Sequence, residues 1–284
     1  MHATDSDSGE NARVTYKLAS DSSAEIQKLF ALDPISGNIN LNGNLDNEVR
    51  KYYNFFVHCV DHGIPSKSAI AKVEINILDV NDNPPIFSES VVKKNIKEDT
   101  RIGTIITRVQ ARDADEGQNG EILYSLSRVD PNEKGYFIID KYDGTIRLGR
   151  GLDREKIACF ELEIEATDKG TPSMSAKAMV SVTIEDINDN APFFSESRKT
   201  YYVLENQDVG SIIGPIQADD LDIGDNANLE YFLIPDIETS RMFYLDSATG
   251  ELELREVYYF SKKYFFPSFP IIISRGLKKF FIKK

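Results

Sequence analysis

Asp79-Val80-Asn81-Asp82-Asn83-Pro84-Pro85 recurs further along the chain as Asp186-Ile187-Asn188-Asp189-Asn190-Ala191-Pro192. Each copy crowds carboxylate, amide and backbone oxygens into five residues, and the proline that follows blocks a helix and stiffens the exit. Hard cations such as Ca²⁺ take about six to eight oxygens of this kind. The step from Asp79 to Asp186 has the length of one small domain, so the stretch marks a domain junction.

Other oxygen-rich words keep the same step. Asp46-Asn47-Glu48 returns as Asp153-Arg154-Glu155, Asp61 as Asp168, Glu98 as Glu205, and Asp113-Ala114-Asp115 as Asp220-Leu221-Asp222. Asp5-Ser6-Asp7 is an earlier copy of the last. One acidic cluster alone is most often a solvated turn. A set in one shared register points to cation binding.

The chain has 284 residues, enough for two or three domains. Hydrophobic residues make up 41% and aromatics 10%, which suits packed cores and not disorder. A net charge of −13 argues against nucleic acid or an anionic membrane as partner. Cys59 and Cys159 occupy non-equivalent places in successive units, so each is expected to be a buried free thiol. The compartment is therefore argued from calcium, not from disulfides. There is no Asn-x-Ser/Thr sequon, no signal peptide in the polar start, and no apolar run of about twenty residues. A secreted-type array with these features reads as a fragment of a longer protein, or as an incompletely assembled gene.

Together with Leu152-Asp153-Arg154-Glu155, Asp113–Gly120 and Ala166-Thr167-Asp168-Lys169-Gly170-Thr171-Pro172, the doubled stretch resembles the extracellular repeats of the cadherin superfamily. The resemblance covers residues 3 to about 255, and protocadherins and Fat- or Dachsous-like members are equally compatible. It implies an all-β chain of tandem seven-stranded Greek-key β-sandwiches, immunoglobulin-like in topology, arranged in a rod. The expected division is a partial repeat 1–83, a complete repeat 84–190, a partial repeat 191–255 and a divergent tail 256–284.

Strand patterns agree with a sandwich. In Phe160–Ala166 glutamates alternate with apolar residues, one face inward and one in water. The complete repeat is expected to hold strands at 90–96, 102–111, 122–127, 136–139, 145–148, 160–167 and 176–184. In the first repeat they are expected at 14–18, 38–41, 52–60 and 70–78. In the third they are expected at 201–205, 212–218, 229–233, 243–245 and 251–254. Beyond 255 the match stops, and the tail reads as unrelated sequence from a truncated or mis-spliced transcript. A basic-aromatic membrane-surface segment is the other reading.

The resemblance implies three calcium ions at each junction. At the second, Glu98, Asp153 and Glu155 would come from the complete repeat, and Asp186, Asn188 and Asp189 from the linker, with the carbonyls of Ile187 and Asn190. Asp220, Asp222 and the Asn226 carbonyl would come from the next repeat, whose late Asp has no match. The first junction would use Asp46, Glu48, Asp79, Asn81, Asp82, Asp113, Asp115 and Asp168, with the carbonyls of Val80, Asn83 and Asn119. Asp5, Asp7 and Asp61 would serve an earlier junction, and Glu205 repeats Glu98.

The implied function is a non-enzymatic, calcium-dependent cell–cell adhesion ectodomain. Its partner would be another cadherin-type ectodomain, on an apposed or the same cell. The full-length protein would carry a single-pass anchor and face the outside of the plasma membrane. A calcium-dependent carbohydrate- or matrix-binding module is the alternative. Three rivals fit worse. An EF-hand loop starting at Asp113 would need glycine at its sixth position, which is Gln118. A two-carboxylate hydrolase would need its acids in one cleft, not at domain ends. His58, Cys59 and His62 lack a second ligand pair for zinc.

Overall fold

The computed structural model describes residues 1–128, 130–196, 199–204, 207–233, 239–256 and 271–274. Its regular secondary structure is almost wholly strand.

The first repeat runs β1 (Val14–Leu18), α1 (Ala24–Leu29), β2 (Phe30–Leu32), β3 (Ile39–Leu41), β4 (Tyr52–Asp61) and β5 (Ser68–Asn76). Strands β1, β4 and β5 form an antiparallel sheet, and β2 pairs with β3. Tyr16, Ile26, Phe30, Tyr53, Phe55 and Val57 are buried together. Helix α1 has no counterpart in the sequence expectations. Ser23 caps it, its hydroxyl accepting from the Ile26 N–H at 3.3 Å, and Ile26 anchors it in the core.

The middle repeat holds β6 (Ile86–Phe87), β7 (Val91–Lys97), β8 (Ile105–Arg108), β9 (Ala111–Arg112), β10 (Leu123–Arg128), β11 (Phe137–Ile139), β12 (Thr145–Leu148), β13 (Cys159–Thr167) and β14 (Ser175–Glu185). A four-stranded sheet, β10-β13-β14-β7, faces a three-stranded one, β11-β12-β8. These are the expected seven strands. β7 lies parallel to the last strand, β14. The alternation in β13 sends Phe160, Leu162, Ile164 and Ala166 inward against Ala178, Val180, Val182 and Ile184 of β14. Phe137, Ile146 and Leu148 close the core from the other sheet. The rings of Tyr136 and Phe137 each lie 5.0 Å from that of Phe160. Each such fully buried side chain contributes about 1.5–3 kcal/mol.

One expected strand, 102–111, is broken in two. β8 pairs with β12 and β9 with β6, because the chain crosses from one sheet pairing to another. At the crossing Val109 is buried and its N–H bonds the Gly144 carbonyl at 3.0 Å. Gly144 has φ 70°, and a Cβ there would lie 2.3 Å from the Val109 oxygen.

The third repeat holds β15 (Ile212–Pro215), β16 (Glu230–Leu233), α2 (Thr239–Met242), β17 (Phe243–Leu245), β18 (Glu251–Leu254) and β19 (Ile271–Ser274). Its core centres on Ile216, Tyr231 and Leu245. Tyr201–Leu204 is not a strand, and Glu205 lies outside the described residues. β19 lies in the tail, where the sequence gives no strand expectation. It pairs antiparallel with β16, Glu230 opposite Ser274. In the middle repeat Leu123 stands opposite Thr167, and the step that carries Asp79 to Asp186 carries this pair onto Glu230 and Ser274. The β19 segment of the tail therefore takes the place of the end of β13. The rest of the tail lies outside the described residues.

Two side-chain devices recur in all three repeats. The hydroxyls of Tyr16, Tyr124 and Tyr231 accept from the N–H of Ala3, Ala111 and Ala218, each thirteen residues earlier. Asp33, Asp140 and Asp246 accept two N–H groups each in the turn before a positive-φ glycine. These three acids are turn-formers.

The thiols depart from expectation. Cys59 is half-buried and Cys159 is exposed, both unbonded. Cys159 opens β13 on its outward face.

Candidate metal centres at the junctions

At the first junction the linker aspartate Asp79 reaches across to the middle repeat. Its Oδ2 accepts from the Glu116 N–H at 3.1 Å and from Asn119 Nδ2 at 2.8 Å. Asn83 donates from its backbone to Asp115 Oδ2 at 3.1 Å and from its side chain to Asp115 Oδ1 at 2.6 Å. Asn83 Nδ2 also bonds Asp82. Asp113 Oδ1 accepts from the Asp115 N–H. Asn81 Nδ2 donates to Asp168 Oδ2 at 3.2 Å and to the Pro172 carbonyl at 2.6 Å. One carboxylate oxygen from each of Glu48, Asp79 and Asp115 lies within 4.8 Å of the other two. Asp46 accepts from the Val49 N–H nearby in sequence.

Three oxygens here fit a hard cation on direct grounds. Asp79 Oδ1, Asn81 Oδ1 and Asp113 Oδ2 are buried and have no hydrogen-bond partner among the described residues. A buried oxygen without a donor is costly unless a cation or water satisfies it. Burial first, then the charges of Asp115 and Asp168, pushes the Asp113 carboxyl above its ordinary range.

The second junction repeats the frame. Asp186 Oδ2 accepts from the Ile223 N–H at 3.2 Å and Asn226 Nδ2 at 2.8 Å. Asn190 donates to Asp222 and Asp189. Asp222 N–H bonds Asp220. Buried Glu98 accepts from the Arg154 and Ile187 N–H groups at 2.8 and 2.9 Å. Two acidic triads result, Glu98–Glu155–Asp186 and Glu155–Asp189–Asp222, with Glu155 in both. Burial first, then the charges of Glu98, Asp222, Asp153 and Asp186, raises the Asp189 carboxyl. Burial pushes Asp186 the same way. Hydrogen bonds from Asn226, Ile223 and Arg154 outweigh it and hold Asp186 below its ordinary range. Asp153 is turned toward Lys156, whose Nζ lies 2.6 Å away.

The remaining candidates stand apart. Asp5 and Asp7 form a local turn, with Asp7 N–H on Asp5 Oδ1. Asp61 accepts from Gly63 and Lys67 at the end of the first repeat away from Asp79. Neither belongs to an acidic triad, and nor do His58, Cys59 and His62, among the described residues. Val80 is exposed at 66%; Ile187 and Asn188 sit in the second linker.

A profile of the cadherin domain matches residues 1–78 and 93–185. The chain belongs to the cadherin domain family.

Among its relatives is the protocadherin-like wing polarity protein stan of Drosophila melanogaster, 44% identical over 82% of this chain and 7% of that protein. The human cadherin EGF LAG seven-pass G-type receptor 1 is 39% identical over 89% of this chain and 8% of its own length. Relatives named protocadherin, dachsous and Fat-like cadherin match as well. Among solved structures, mouse cadherin-23 EC22-24 superposes with a TM-score of 0.81 and 32% identity, covering 90% of this chain and 80% of that one. The chain spans under a tenth of the length of the stan protein and of the human receptor.

The sequence reading gave no role to three residues that make contacts at the junctions. Arg154 bridges the second junction: Nε to Asp186 Oδ1 at 2.5 Å, one terminal nitrogen to Glu155 and to the Leu221 carbonyl at 2.8 Å. Lys51 pairs with Glu116 across the first junction, both exposed. Gly170 lies so close to Asn81 that a Cβ would meet its amide at 2.3 Å. The alignment of Arg154 with Asn47 in the repeated register was the available signal for the first.

Proposed function

We propose that this chain is part of a calcium-dependent cell–cell adhesion ectodomain, and that its junction oxygens bind Ca²⁺. The observation that carries this is the doubled linker, with acidic triads at both copies and orphaned buried oxygens at the first. The repeats are 1–83, 84–190 and 191–255, the last extended by β19. The ligand set is the one named from the sequence, with Glu48, Asp79 and Asp115 at its centre in the first junction, and Glu155, Asp189 and Asp222 in the second.

Carboxylates about 5 Å apart repel by about 3 kcal/mol per pair at an effective dielectric near 20. Bound calcium supplies the opposing charge. The linker residues Asp79 and Asp186 each already grip the following repeat through two hydrogen bonds, so they orient the oxygens. Glu155 offers one carboxylate to both triads and ties the base of the middle repeat to the linker. Stiffened junctions present the repeats to a cadherin-type ectodomain on an apposed or the same cell. Relatives named receptors support an extracellular, membrane-anchored parent. A single-pass anchor is our reading, and the relatives named seven-pass receptors offer the other form. No observation favours a carbohydrate- or matrix-binding role.

Isothermal calorimetry with CaCl₂ tests the centre. Asp189→Ala is expected to weaken calcium binding at the second junction at least about ten-fold, and Asp189→Asn nearly as much, because each removes the charge that offsets Ca²⁺. Equal calcium binding by wild type and Asp189→Ala would refute the assignment. Calcium-dependent aggregation of cells displaying the full-length protein tests the adhesion reading.

A further inference from the structure

The two linker aspartates share one pair of hydrogen bonds down to the atom and differ at their other oxygen. Asp79 Oδ2 and Asp186 Oδ2 take the same pair of donors, a backbone N–H and an asparagine amide. Their Oδ1 atoms differ. Asp186 Oδ1 receives the Arg154 guanidinium, whereas Asp79 Oδ1 is buried with no partner among the described residues. The cause lies at one aligned position. Asn47 stands where Arg154 stands, and among the described residues its amide donates only to the Ile77 carbonyl of its own repeat, at 2.9 Å. Asn47 is itself buried, and its Oδ1 is unpartnered too among the described residues.

Arg154 is well placed to act as a resident cation. Its side chain is 10% exposed and that of Asp186 is 8%. It holds two members of one triad, Glu155 and Asp186, and the Leu221 carbonyl of the next repeat. A guanidinium bridging carboxylates in a screened site makes strong, oriented hydrogen bonds. Among the described residues the first junction has only the exposed Lys51–Glu116 pair in that role, and exposed pairs contribute little.

We propose that Arg154 staples the second junction when calcium is scarce, so that the two junctions of one chain loosen at different calcium levels, the Asn47 junction first. The calcium half of this rests on the function proposed above; the staple itself does not.

Amide hydrogen exchange on the 284-residue chain, in EGTA and across a CaCl₂ titration, tests it. The reporters are the Asn83 and Asn190 N–H groups, which bond Asp115 and Asp222. In EGTA, Asn190 is expected to exchange at least about ten-fold more slowly than Asn83. Arg154→Asn should abolish the difference, and Asn47→Arg should slow Asn83. Protection of Ile164 in the core reports folding in every variant. Should Arg154→Asn unfold, Asn47→Arg decides alone, since it acts at the other junction. Equal exchange of Asn83 and Asn190 in wild type, or no slowing in Asn47→Arg, overturns the staple. Calcium that protects neither linker, with the EGTA difference intact, overturns the calcium reading and leaves the staple standing.

Discussion

Tyr124 shows how much one atom can hold in this fold. Its ring is buried, and its hydroxyl accepts from the Ala111 N–H at 2.8 Å in β9. The same pair recurs as Tyr16–Ala3 and Tyr231–Ala218. Tyr124→Phe keeps the ring and orphans the N–H, so it should cost about 1–2 kcal/mol in urea unfolding, with calcium affinity unchanged. A neutral substitution would mean that the N–H finds another acceptor. The pattern was open to inspection in the sequence as a tyrosine thirteen residues after an alanine. It carries no meaning until β10 and β9 are brought together. Asp33, Asp140 and Asp246 serve their own turns, each taking two N–H groups on Oδ1.

At the scale of elements, β13 and β14 form the spine of the middle sheet. Their antiparallel register, Cys159 opposite Thr183 to Thr167 opposite Ser175, follows from apolar residues alternating on both strands. Outward positions are closed by polar pairs, Lys177 with Glu163 and Ser181 with Glu161. Ile164 is fully buried at the centre, and Ile164→Ala should cost about 2–5 kcal/mol by denaturant titration. A loss under about 1 kcal/mol would mean the site collapses without a cavity. The alternation was legible because side chains on a strand have period two. The break between β8 and β9 was not, since only pairing with different partners separates the two halves.

For the whole molecule, three separate apolar clusters follow one another along the chain, and the middle one is the most extensive. Only that repeat has both sheets complete among the described residues. Limited proteolysis in EGTA should therefore leave a fragment near 84–190 as the most persistent product, identified by intact mass. Longer survival of 1–83 would move the boundaries.

Repetition at one fixed interval marked the junctions and the acids near them from the sequence alone, and the resemblance of those words to cadherin repeats implied the fold. Repetition could do so because a repeated interval preserves chemistry at equivalent places without any coordinates. Tertiary structure decided what the interval hides. It placed Ile271–Ser274 in the third repeat, because strand pairing reads backbone register and not side-chain identity. It sorted turn aspartates from junction aspartates, because the difference lies in which N–H groups each oxygen meets. And it separated Arg154 from Asn47, because only a side chain long enough to span the gap can bring a positive charge to Asp186.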